Sequence, residues 1–169
     1  MATATGISIE EYLRTEYEPD CDYVDGELED RNVGQRDHSY IQTAIGAYLF
    51  ALRKRIGAHV FTEQRLRVSK TRFRLPDLCV VLGAYPKERV FDQPPFLCIE
   101  ILSPEDRMSR TQRRIREYFA FGVKYVWVID PEERWAWIYT ASEIREATDG
   151  ILRTSDPEII VPLAEVLPE

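Results

Sequence analysis

Two carboxylates sit where solvation alone does not explain them. Glu100 lies inside the apolar run Phe96 to Leu102, and Asp77 follows Pro76 at the entrance to the apolar run Leu78 to Leu82. In an extended chain Cys98, Glu100 and Leu102 share one face, and Ile99 and Ile101 share the other. An ionised glutamate in such a run is costly unless it is paired or ligates a metal. Two carboxylates on neighbouring strands can converge on one hard cation, and Mg²⁺ takes oxygen ligands in an octahedral array while keeping several waters. An ion held in this way polarises a phosphoryl oxygen and lowers the pKa of a bound water, making a nucleophile near neutral pH. The competing reading is a glutamate at an open sheet end, paired with an arginine.

The elements that must position these residues follow from periodicity and punctuation. Ser8 and Glu11 form a capping-box pattern that predicts a short helix from Ile9 to about Thr15. Tyr23 to Glu29 reads as strand, turn, strand around Asp25-Gly26. Ile41, Ala44, Ile45, Tyr48, Leu49, Leu52 and Ile56 recur on one stripe, predicting a helix over 38–56 with Asp37 as N-cap and Gly57 as its stop. Val60 to Val68 reads as one strand and Ser69-Lys70-Thr71 as a turn. Leu78 to Leu82, Phe96 to Leu102 and Tyr125 to Ile129 are short, unbroken apolar runs, as expected of interior strands covered on both faces. Ser109 and Gln112 repeat the capping-box pattern before a helix to about Phe121, closed by Gly122. Asp130-Pro131-Glu132-Glu133 turns the chain into Trp135 to Tyr139. The last 30 residues read as a short hairpin and an irregular acidic tail. This order predicts an α/β (α+β) fold with a mixed central β-sheet flanked by helices. One domain is expected over 1–169, with its core at about 22–140.

Composition agrees with one globular domain: 169 residues, of which 44% are hydrophobic. No apolar run approaches the ~18 residues of a membrane span. The N-terminus, MATATGISIEEYL, has neither a basic start nor an apolar stretch, so no signal peptide and a cytoplasmic location are expected. Cys21, Cys79 and Cys98 are odd in number and form no Cys-x-x-Cys pair, which suits small buried hydrophobes rather than a zinc site. No small-molecule cofactor is expected.

The net charge of −7 argues against a nucleic-acid partner until its distribution is considered. Residues 53–116 carry 15 Lys or Arg against 7 Asp or Glu, whereas the rest of the chain carries 7 against 22. Arg65, Arg67, Lys70, Arg72 and Arg74 fall within ten residues, and Arg107, Arg110, Arg113, Arg114 and Arg116 lie on or just before the second long helix. These two groups flank Asp77 and Glu100 and suit a surface for backbone phosphates. The plainer reading is a solvated helix face. Trp135, Trp137 and Tyr139 alternate along one strand, which suits core packing or a subunit contact more than base stacking.

Several segments together resemble a known group of proteins. Pro76-Asp77, followed by Glu100 on the next strand, is similar to the pattern of the PD-(D/E)XK nuclease superfamily. More closely, the chain resembles a bacterial restriction-endonuclease-like family (DUF820-like). The resemblance is carried by Tyr23-Val24-Asp25-Gly26-Glu27-Leu28, His38 with Ile41, Arg74-Leu75-Pro76-Asp77, Ile99-Glu100-Ile101-Leu102-Ser103-Pro104, and Tyr118 with Phe121-Gly122-Val123 and Tyr125 to Pro131. It implies a restriction-endonuclease-like fold and a metal-dependent endonuclease hydrolysing DNA with Mg²⁺ or Mn²⁺. It further implies that Asp77 and Glu100 are metal ligands, that Glu27 is a third acidic contributor, and that His38 lies near them. The superfamily lysine, two residues after the glutamate, is replaced by Leu102. In the closer family that lysine moves to the following helix, where this chain has Arg114. Arginine stabilises charge but stays protonated at any usable pH, so it cannot serve as a base. Folds of this kind often work as pairs, one subunit per strand, so a homodimer is expected. Two further readings compete: a degenerate nuclease fold that only binds nucleic acid, and a self-associating protein with no nucleic-acid role.

Overall fold

A computed structural model of the protein describes residues 6–31 and 35–169. The chain opens with α1 (Ile9–Arg14), whose first turn is capped by the Ser8 hydroxyl accepting from the Glu11 amide. β1 (Cys21–Val24) and β2 (Glu27–Asp30) form a tight hairpin. Asp25 and Gly26 both have positive φ, 51° and 99°, as the turn between two right-twisted strands demands. α2 (Arg36–Ile56) begins two residues before its apolar stripe suggests and ends on Gly57 in the left-handed region. Asp37 lies in its first turn rather than at the cap, which Gln35 occupies.

β3 (Ala58–Thr62), β4 (Leu66–Ser69), β5 (Arg72–Arg74), β6 (Leu78–Leu82) and β7 (Leu97–Ile101) follow. Then come α3 (Met108–Phe121), β8 (Tyr125–Asp130), β9 (Trp135–Tyr139), β10 (Ile144–Glu146), β11 (Ile151–Thr154) and β12 (Ile159–Pro162). The expected single strand from Val60 to Val68 is two strands in two sheets. Glu63, with φ 51°, breaks the extended backbone between them and sends the chain out of one sheet into the other. The expected capping box at Ser109 is also absent, because α3 starts one residue earlier with Arg107 at the cap position and no side-chain cap bond.

The large sheet has the order β10-β9-β8-β7-β6-β3, and its only parallel pair is β7–β8, which α3 connects. The smaller sheet runs β2-β1-β5-β4 and is antiparallel throughout. Fold class and architecture are therefore as the sequence predicts, a mixed sheet between helices. On one face of the large sheet Ile41, Ile45 and Leu49 of α2 pack on Leu78, Val80, Leu97 and Ile99. On the other, Ile115 and Tyr118 of α3, with Leu66 and Val68 of β4, pack on Cys79, Cys98, Val126 and Val128. All three cysteines are buried and free.

The C-terminal segment is not an irregular tail. Leu152, Ile159, Val161, Leu163, Val166 and Leu167 are buried in the same core as α2. Each such side chain contributes about 1.5–3 kcal/mol of burial, so β11–β12 is a structural part of the domain. Among the described residues no helix is long and apolar enough to cross a membrane.

Candidate active site

The register of β6 on β7 builds the site. Leu78 opposes Ile99 in this antiparallel pair, so one further residue brings Asp77 opposite Glu100. Directly opposed residues of an antiparallel pair project to the same face. Both side chains are buried, each residue being 3% exposed. The wager that the sequence invites, two carboxylates meeting across neighbouring strands, is the arrangement the structure has.

Asp77 is fixed at every polar atom. Its Oδ2 accepts from the Ile101 amide at 2.7 Å and lies 3.3 Å from His38 Nε2, and its Oδ1 accepts from Arg31 at 2.6 Å. Its main-chain carbonyl accepts from Gln42 at 3.0 Å and from the Glu63 amide at 3.2 Å. Burial opposes ionisation, but His38 and Arg31 outweigh it and hold the carboxyl below its ordinary pKa. For His38 burial favours the neutral ring, yet the bond and charge of Asp77 raise its pKa, and its Nδ1 is buried without a hydrogen-bond partner.

Glu100 sits differently. The Tyr118 hydroxyl donates to its Oε1 at 2.5 Å, and Arg114 reaches Oε2 only at 3.5 Å. Burial raises its pKa, Arg114 opposes, Asp77 raises it further, and the result is about 7. That value exceeds the ordinary 4.5. The folded state therefore binds the proton more tightly, and this contribution to stability is lost as pH rises through about 7. Glu100→Gln is expected to flatten the fall in apoprotein stability between about pH 5 and pH 8, and to add up to about 3 kcal/mol at the upper end. Urea unfolding in EDTA at several pH values checks this, and an unchanged slope would contradict it.

A buried ion network lies behind the pair. Arg114 also approaches Asp22, at 3.2 Å, and Asp22 receives Arg74 at 2.9 Å and the Leu75 amide at 3.0 Å. Arg74 bridges onward to Glu29 at 2.7 Å and Glu117 at 2.5 Å. Arg113 binds Glu29, and Arg72 binds both Glu117 and Asp25.

This network corrects part of the expected phosphate surface. Arg74 is 0% exposed and saturated by carboxylates, so no duplex reaches it. Arg72 and Arg113 are likewise engaged in ion pairs. Arg65 lies over the Tyr12 ring and donates to the Thr15 carbonyl. Arg67 and Lys70 are exposed at the β4 edge and the following turn, and Arg110 is half-buried near Glu29. Glu27 is not joined to the pair either. It is exposed beside the hairpin turn, opposite Val24, and the network uses Glu29 and Asp22 instead. Arg31, Asp22, Glu29 and Tyr118 went unassigned from sequence. The one signal available was electrostatic, since buried acids at positions 77 and 100 require cations and donors of their own.

Two buried like charges opposed across a strand pair are the donor set of a hard divalent ion. Among the described residues no group of three or more His, Cys, Asp or Glu side chains gathers to hold a metal. A two-carboxylate site with water and substrate oxygens completing the shell is the Mg²⁺ pattern, and the residues fit it on condition that Asp77 Oδ1 is freed from Arg31.

A mixed sheet that delivers two carboxylates from adjacent strands, backed by a tyrosine and an arginine of the crossover helix, defines a restriction-endonuclease-like domain. The chain belongs to the Uma2 family, whose model, described as "Putative restriction endonuclease", matches residues 9–165. A similar solved structure is that of a "putative nuclease belonging to DUF820" from Anabaena variabilis, with a TM-score of 0.80 and 23% identity over 95% of this chain and 97% of that one. At that identity the likeness establishes the fold. No curated protein matches the chain.

Proposed function

We propose that the protein is a metal-dependent endonuclease that hydrolyses DNA phosphodiester bonds. The observation that carries this reading is the buried Asp77–Glu100 pair, opposed across β6 and β7 in a chain of a restriction-endonuclease family. Asp77 and Glu100 would hold Mg²⁺ or Mn²⁺, which when bound polarises a phosphoryl oxygen and activates a water as nucleophile. Tyr118 fixes Glu100 through Oε1, leaving Oε2 only weakly engaged by Arg114. His38, held on Asp77, keeps that carboxylate charged and oriented. Arg114 takes the place of the superfamily lysine and offsets negative charge at the phosphate, without proton transfer. Arg67, Lys70 and Arg110 are the members of the expected basic surface left to contact backbone phosphates. Trp135, 51% exposed and edge-on to Trp137, supports a homodimer contact near the β10 edge, whereas Tyr139 is committed to the core. A monomeric mass by light scattering would remove that contact.

A second reading is favoured by Arg114 itself. Its guanidinium is drawn between Glu100 and Asp22, and its Nε has no hydrogen-bond partner. A domain that kept the fold and lost the lysine would bind DNA without cutting it. Incubation of supercoiled plasmid with wild type and Arg114→Lys, in Mg²⁺, Mn²⁺ or EDTA, separates the two. Metal-dependent nicking by wild type is expected. Nicking by Arg114→Lys alone would favour the binding protein, and none by either would overturn the nuclease.

A further inference from the structure

Arg31 and Arg114 hold the acid pair from two sides and differ in their freedom to leave. Arg114 rises from the middle of α3 and is bracketed by Glu100 and Asp22, both buried. Arg31 follows the last residue of β2, and its side chain, 11% exposed, crosses from the small sheet to Asp77 on the large one. A second acid waits beside it. Glu63 Oε1 is 4.0 Å from Arg31 Nη1, and the Glu63 side chain is 47% exposed. Glu63 is fixed next to the site independently of Arg31, because its amide donates to the Asp77 carbonyl at 3.2 Å.

We propose that Arg31 is the resident cation of Asp77, and that a divalent ion enters only as Arg31 transfers from Asp77 to Glu63. This rests on the metal-site reading above. Arg31 is bonded to Oδ1 at 2.6 Å, and a divalent ion on that oxygen would sit about 2.1 Å away, so the two cannot share it without strong repulsion in a buried setting. Asp77 Oδ2 offers no easy substitute, since it already accepts from Ile101 and faces His38. Glu63 keeps the displaced guanidinium paired, in a place where water reaches it. Arg31 thereby sets metal affinity: the apoprotein is internally neutralised, and the ion must compete for its own ligand.

The test is isothermal titration of Mn²⁺ alone, without DNA, into wild type, Arg31→Gln, Glu63→Gln and the double variant. Glutamine at 31 keeps a donor for Asp77 and removes the charge. Arg31→Gln is expected to bind Mn²⁺ on the order of tenfold more tightly than wild type. Glu63→Gln is expected to weaken binding several-fold in the wild-type background and to have no effect alongside Arg31→Gln, since the coupling exists only while Arg31 must land. Equal affinities for wild type and Arg31→Gln would overturn the displacement while leaving the metal site intact. Absence of Mn²⁺ binding in every variant would overturn both. Should Arg31→Gln fail to fold, Glu63→Gln decides, and an unchanged affinity overturns the proposal.

Discussion

Arg74→Ala should leave the protein unfolded or close to it. The Arg74 guanidinium is 0% exposed and neutralises Asp22, Glu29 and Glu117 at 2.9, 2.7 and 2.5 Å. Alanine leaves those carboxylates facing one another across the small sheet and α3 with no counter-charge at their centre. Breaking a buried pair by removing one partner costs about 3–5 kcal/mol, a large part of the roughly 5–15 kcal/mol by which domains are stable. Arg74→Met should not rescue it, because an apolar stem of similar volume still leaves the acids unpaired. Urea or thermal unfolding measures the loss. A change below about 1 kcal/mol would mean that the network is solvated and Arg74 accessible, as a phosphate-binding surface requires.

Asp77→Asn should abolish cleavage while leaving the fold in place. The amide oxygen can still accept from Ile101, but the variant loses the charge that a divalent ion needs. Lewis-acid stabilisation is worth several kcal/mol, so activity should fall on the order of 10³-fold. The cost to stability should be smaller, because Arg31 keeps Glu63 within reach and His38 can shed its proton. Cleavage of plasmid by the folded variant within about tenfold of wild type would show that Asp77 is not a ligand.

The strands that carry the site were legible because interior strands cannot hide. Leu78 to Leu82 and Leu97 to Ile101 are nearly all apolar, so Asp77 and Glu100 stand out against them. The hairpin turn at Asp25-Gly26 and the stops at Gly57 and Gly122 were legible because left-handed backbone selects glycine or its substitutes. The partners of the charges were not. Arg74 meets Asp22 across 52 residues, Arg31 meets Asp77 across 46, and Arg113 meets Glu29 across 84. A cluster of arginines in sequence looks the same whether it faces phosphate or acids brought in by the fold. For the same reason Glu27, next to the recognisable turn, drew attention that belonged to Glu29 and Asp22. The break at Glu63 was hidden by a continuous strand-like run, since a single non-glycine residue in the left-handed region leaves little trace in composition.

Crystals of the wild-type protein soaked in Mn²⁺, with diffraction recorded at the manganese edge, test the central claim most directly. The expected result is an anomalous peak between the carboxylates of residues 77 and 100, with the Arg31 side chain turned toward Glu63, and no such peak in Asp77→Asn. A fully occupied Mn²⁺ site elsewhere, with Arg31 still bonded to Asp77, would contradict it.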